Sequence, residues 1–253
     1  MRAYELIKET FCRKTYILII HLSWLTLYGI FWWLFIASAS ELSRFIFIWG
    51  GCFLALALSA GIFGDDISSG RICIIVTKPF WPGELYIYRL LGLSLQAAVH
   101  FILVWCVIFI LHALMRKGST DGLGLWLFAS WLLFNTCAAL STSLSVVVGR
   151  ASNALLLFVV IVTGFVVVDQ LMDYLKQQAE TGVLVSYIRF ACPPFKLLYE
   201  FACGEYDKYS LTVGRFSLGK SVASVVHSLI LTVVYSVVGI VLLSRRQFSC
   251  RRD

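Results

Sequence analysis

A chain of 253 residues that is 60% hydrophobic and only 14% charged is too apolar for a soluble domain, which is nearer half apolar and a quarter charged. Its net charge of +7 therefore points to a cytoplasmic membrane face and anionic lipid rather than to nucleic acid. Eight cysteines without a CxxC spacing or a histidine cluster exclude a metal site built on a local motif, and no metal is expected.

Residues 1–15 open the chain. Tyr4, Leu6, Ile7 and Phe11 approximate one helical face, and Arg2, Lys8, Arg13 and Lys14 supply positive charge, so the periodicity predicts an amphipathic interfacial helix. Both signs of charge occur here and no small-residue cleavage site follows, so a cleaved signal is not expected. Six apolar runs come next, each near the length of about 20 residues that a bilayer core requires: 16–39, 45–63, 90–114, 123–148, 154–172 and 222–243. The expected fold is thus an all-α integral membrane protein forming a single transmembrane domain over 1–253.

Lys and Arg concentrate in the two termini, the 64–89 segment and the 149–153 connection, while the short loops on the other side hold only Arg44, Arg116 and Lys117. The positive-inside bias then places both termini and the 64–89 segment in the cytoplasm, with 173–220 outside. The stretch GDDISSGRICIIVTKPFWPGELYIYR, Gly64 to Arg89, is too polar to cross the bilayer. It reads as a short amphipathic piece on the membrane surface, with a turn at Pro82-Gly83, held at both ends by spans. The 173–220 segment, broken by Cys192-Pro193-Pro194, predicts short helices capping the outer mouth. Cys192 and Cys203 both lie there, either as a disulfide or as two free thiols.

Several motifs read more blandly than they look. Gly214–Ser221, GRFSLGKS, matches the P-loop pattern, but the helix after it is a membrane span and no nucleotide domain fits in the chain. A Gly-rich turn with Lys220 anchoring the last span is the better reading. Asp169, near the end of the fifth apolar run, and Asn135, within the fourth, are candidates for a substrate path or gate; interfacial solvation and helix packing are the competing readings. His21, His100, His112 and His227 are scattered over different spans and suggest packing rather than metal transport.

At Gly64–Gly92 the chain resembles the permease subunits of the ABC-2 type, with the type V exporter fold, and among them the small six-span subgroup. The resemblance is carried by Asp66, Gly70, the run Ile72–Val76, Thr77-Lys78-Pro79 and Gly92, and by Lys8-Glu9 in the N-terminal helix. It implies that the 64–89 segment is a coupling helix between spans two and three. It further implies that Asp65, Asp66, Gly70, Arg71, Thr77, Lys78 and Pro79 form the surface that docks a separate ATPase. By the same resemblance the chain performs no chemistry itself and holds no cofactor, ATP and Mg being bound by two partner ATP-binding subunits. A second permease chain, identical or homologous, would complete the pathway in a bacterial inner membrane, with an extracytoplasmic accessory protein as a further candidate partner. Two other classes remain open: a membrane-embedded enzyme, for which Asp65-Asp66 is the one candidate cluster, and a channel or structural subunit acting without ATP.

Overall fold

The computed structural model describes residues 2–35, 47, 49–72, 81–115, 123–163, 190–203, 211–213, 216–218 and 220–246. Their backbone is helical apart from short turns and one hairpin, and helices satisfy their own peptide groups as a bilayer requires. Helix α1 spans Arg2–Arg13 and α2 Thr15–Phe35; a π-helical turn, Trp49–Phe53, leads into α3, Leu54–Ser59. Then come α4, Gly64–Ser68, α5, Pro82–Met115, α6, Leu123–Ser145, and α7, Arg150–Val162. Helix α8, Phe195–Cys203, the strands β1, Leu211–Val213, and β2, Phe216–Leu218, and α9, Lys220–Arg245, complete the order.

Four described stretches are long and apolar enough to cross a membrane: Gly50–Ser68, Pro82–Ile110, Leu123–Ser145 and Val222–Arg245. Two shorter apolar helices, Thr15–Trp24 and Arg150–Val162, lie in the first and fifth of the expected spans. The rest of the fifth span, with Asp169, lies outside the described residues. Apolar side chains are exposed along α2 (Ile20, Leu27), α5 (Ile102, Phe109) and α9 (Val233, Val237). In water such a surface would aggregate; against lipid tails it carries no penalty.

Helix α6 is the hub, packed against the π-helical turn, α3, α5, α7, α8 and α9. Its sequence explains the position. Ala129, Ser130, Ala138, Ala139, Ser141, Thr142, Ser143 and Ser145 are small, and all are buried, so neighbouring backbones approach closely. Hydroxyls fold back on their own helix, Ser130 donating to Trp126 O at 2.7 Å and Thr136 to Leu132 O at 3.1 Å. Others cross to α9, where the Thr136 and Ser228 hydroxyls lie 2.7 Å apart and Ser143 donates to Tyr235 O at 2.5 Å. Gly239 permits the close crossing: a Cβ there would lie 2.4 Å from the Tyr86 ring.

Three boundaries differ from the expectation. The second apolar stretch is long enough to cross but is not one straight helix, because Ala60–Phe63 are turns and Gly61 has φ +77°. Any side chain at Gly61 would be strained there, and its Cβ would lie 2.7 Å from Arg150 Cγ. The helix that carries the third expected span begins at Pro82, ahead of Leu90, since Pro82-Gly83 starts a helix instead of making a loop turn. Proline at the first helical position lacks only an N–H that would be unpaired anyway. The 34 residues of α5 measure about 51 Å at about 1.5 Å per residue, so the helix extends beyond a bilayer core of about 30 Å. The connection expected over 149–153 is mostly the first turn of α7, with Asn153 Nδ2 donating to Ser141 O at 2.9 Å.

The hairpin also bears on the P-loop pattern. Phe216–Leu218, in the middle of that motif, is a strand paired antiparallel with Leu211–Val213, Val213 opposite Phe216. A phosphate-binding loop instead joins a strand of a parallel sheet to a helix.

Candidate functional site

The N-terminal helix forms as its periodicity predicts, but it is bound to protein along the stripe Leu6, Thr10, Lys14, while Tyr4 stays 63% exposed. Helix α1 lies on α5, where Gly92 makes room, since a Cβ at that position would be 2.7 Å from Thr10 Cβ, while Lys14, just past the helix, reaches the end of α3. This contact sets the ends of α1, α4, α5 and α7 side by side, and their charged residues form one cluster.

Asp66 is at its centre, with no exposed surface. Arg89 Nη2 donates to Asp66 Oδ2 at 3.0 Å, and Arg13 Nη2 lies 2.9 Å from Oδ1, an ion pair whose angle falls short of a hydrogen bond. Arg89, seven residues into α5, is equally buried; its Nη1 donates to Thr10 Oγ1 at 3.0 Å and to Glu9 Oε1 at 3.3 Å. Glu9 Oε1 also meets Arg71 Nη2 at 2.8 Å, so one carboxylate bridges two guanidinium groups. Arg150, the first residue of α7, stands 3.9 Å from Asp65. A positive charge at a helix N-terminus opposes the helix dipole, and Asp65 offsets it.

Lys14 completes the cluster. Its ammonium donates to Ala57 O at 3.2 Å, Leu58 O at 2.9 Å and Ala60 O at 3.0 Å, capping the carbonyls left open where α3 ends at Ser59 and the chain turns through Gly61. Burial first, then the charges of Arg150 and Arg13 against the opposing pull of Asp65, hold the Lys14 pKa down to about 8. Three acids, Glu9, Asp65 and Asp66, thus face five bases, Arg13, Lys14, Arg71, Arg89 and Arg150, leaving this end of the bundle positive.

The expected docking residues divide between interior and surface. Asp66 points inward, has no exposed surface and holds the segment in place. Asp65 and Arg71 are partly exposed at the cluster rim, and Gly70 is exposed with φ +67°. At Gly70 the left-handed conformation ends α4: its N–H donates to Ile67 O and that of Ser69 to Asp65 O, both at 3.1 Å. Thr77, Lys78 and Pro79 lie outside the described residues, as does Asp169. Asn135 is half-buried and donates to Trp131 O of its own helix at 2.8 Å. Cys192 is a half-buried free thiol, and the side chain of Cys203 is outside the description.

Sequence reasoning read Arg89 as an exit from the loop and missed its partnership with Asp66, 23 residues away. A signal was present: an ionisable residue next to a long apolar run needs a partner. The histidines expected to be scattered are not all apart, since His21 Nδ1 and His100 Nε2 lie 2.7 Å from each other. Among the described residues, no group of three or more His, Cys, Asp or Glu is placed to hold a metal ion. Compared with known proteins, the chain matches no family model and no curated protein.

Proposed function

We propose that the chain is the transmembrane permease subunit of an ATP-driven ABC transporter of the ABC-2 type. In this reading it spans a bacterial inner membrane six times with both termini in the cytoplasm, pairs with a second permease chain, and moves a substrate, outward by the family's commoner habit. ATP and Mg are bound by two partner ATPases, and the 64–89 segment receives their motion.

The observation that carries the reading is the way this segment is held. Asp66 is clamped by Arg13 from α1 and Arg89 from α5, while Gly70 and Arg71 stay exposed beyond the clamp. A surface piece fixed to two spans and an interfacial helix moves as a unit with them. A partner that grips its exposed side therefore shifts the bundle rather than bending a loop. The membrane-enzyme alternative has less to stand on, because Asp66, half of its candidate acid pair, is already bound by two guanidinium groups.

The test is a pull-down of the full chain from detergent, probed for a partner with nucleotide-binding motifs. Recovery of such an ATPase from the wild type, and its loss from Lys78→Glu with Pro79→Gly, is the expected result. A variant that still assembles and transports overturns the coupling role of 64–89. An isolated chain that transports without ATP favours the channel reading.

A further inference from the structure

A second buried polar group lies deeper in the membrane, where α2 packs on α5. His21 follows Lys14 by seven residues and His100 follows Arg89 by eleven, about 10 and 16 Å along their helices at about 1.5 Å per residue. Their rings meet through Nδ1 of His21 and Nε2 of His100 at 2.7 Å. Gln96, one helical turn before His100 and on the same face of α5, has no exposed surface. Four polar atoms of this group have no partner: His21 Nε2, His100 Nδ1, and both Nε2 and Oε1 of Gln96. Buried polar atoms left unpaired carry the full loss of their hydration, so a dry site here would be heavily penalised.

The bond between the rings determines what the outer nitrogens offer. One inner nitrogen must donate and the other accept. If His21 Nδ1 carries the hydrogen, then in the neutral pair His21 Nε2 is bare and His100 Nδ1 is an N–H; the other tautomer reverses both. Either way the pair presents one donor and one acceptor, and Gln96 adds donors and an acceptor of its own. We propose that His21, Gln96 and His100 form a hydrated site at membrane depth, occupied by ordered water that bridges these four atoms. Water needs two to four polar partners to settle in a protein interior, and this group supplies them. A metal ion suits the geometry less well. Two imidazoles on a tetrahedral ion with bonds of about 2.0–2.1 Å stand about 3.3 Å apart, and the outer nitrogens lack the acceptors that metal-bound histidines normally find. No acid or base among the described residues pairs with either ring except the other imidazole.

The experiment uses the full chain in lipid vesicles with 15N-labelled histidine, transferred to D2O, following the ring N–H signals by solid-state NMR. The expected result is loss of the His21 and His100 ring N–H signals on the timescale on which the exposed amides of α1 exchange. The Gln96→Leu variant is expected to keep the ring-to-ring bond but to slow the exchange at His100. Ring signals that persist after the α1 amides have exchanged overturn the proposal, as does an exchange rate unchanged by Gln96→Leu. Zinc-induced shifts of both ring nitrogens that EDTA reverses would also overturn it, by making a metal the occupant.

Discussion

Two buried polar groups sit at different depths of the same bundle and are treated in opposite ways. At the end of the bundle, Asp66 and Arg89 are fully buried and each meets at least two partners of opposite charge or hydrogen-bonding capacity, although Asp66 Oδ1 and Arg89 Nε make no hydrogen bond of their own. Farther in, His21, Gln96 and His100 are neutral hydrogen-bonding groups that share a single bond and leave four atoms open. The difference follows from the energy of leaving a group unpaired. An isolated charge in a low-dielectric interior is prohibitive, so these charges enter beside opposite charges; a neutral amide or imidazole is less expensive to bury and is completed by ordered water. The first group therefore fixes geometry, and the second is where the interior admits something that is not protein.

The largest test of this contrast is removal of one charge partner. Arg89→Met leaves Asp66 buried with Arg13 alone, and a loss of about 3–5 kcal/mol is expected, read as a fall in thermal midpoint in detergent. Adding Asp66→Leu should recover part of that loss, because the stranded charge goes with it; additive losses would mean that the two residues do not act as a unit. Over-packing comes next. Gly239→Val should cost about 1–3 kcal/mol through collision with Tyr86, whereas Gly124→Ala, facing open space, should leave the midpoint unchanged.

Lys14→Met, which leaves the end of α3 without its cap, should cost about 1–3 kcal/mol near neutral pH. It also carries a pH signature. The Lys14 pKa is about 8 when folded against an ordinary 10.5, so between these values the unfolded chain holds a proton that the folded chain has released. Stability then rises with pH across that window. The wild type should gain on Lys14→Met as pH climbs from below 8 to above 10.5, measured as the difference between their thermal midpoints. An unchanged or shrinking difference would contradict the buried position of Lys14. The smallest effect is expected at the neutral group, where Gln96→Leu should move stability by no more than about 1 kcal/mol, since water can rearrange around the remaining partners.

Composition and periodicity made the membrane class, the apolar helices and α1 legible, because lipid imposes its demand on every residue of a span. On α6, Ser141, Thr142 and Ser143 are too polar for lipid, and the structure buries them. The break at Gly61 and the start of α5 at Pro82 were not legible. Gly61 matters because its backbone turns beside Arg150, and Pro82 can start a helix as well as a turn. The site divided in the same way. Asp65, Asp66, Gly70 and Arg71 drew attention as a polar interruption, but nothing local separates Asp66, turned inward, from Asp65, turned toward the rim.

The sequence by itself determined that this protein lives in a membrane and that its positive charge gathers in particular segments, because hydropathy and charge are properties of each residue taken singly. Only the tertiary structure decided that Glu9, Arg13, Asp66 and Arg89 meet in one ion-pair cluster and that His21 meets His100. Those partners lie 23 to 80 residues apart, and pairing across such distances depends on which helix faces pack together.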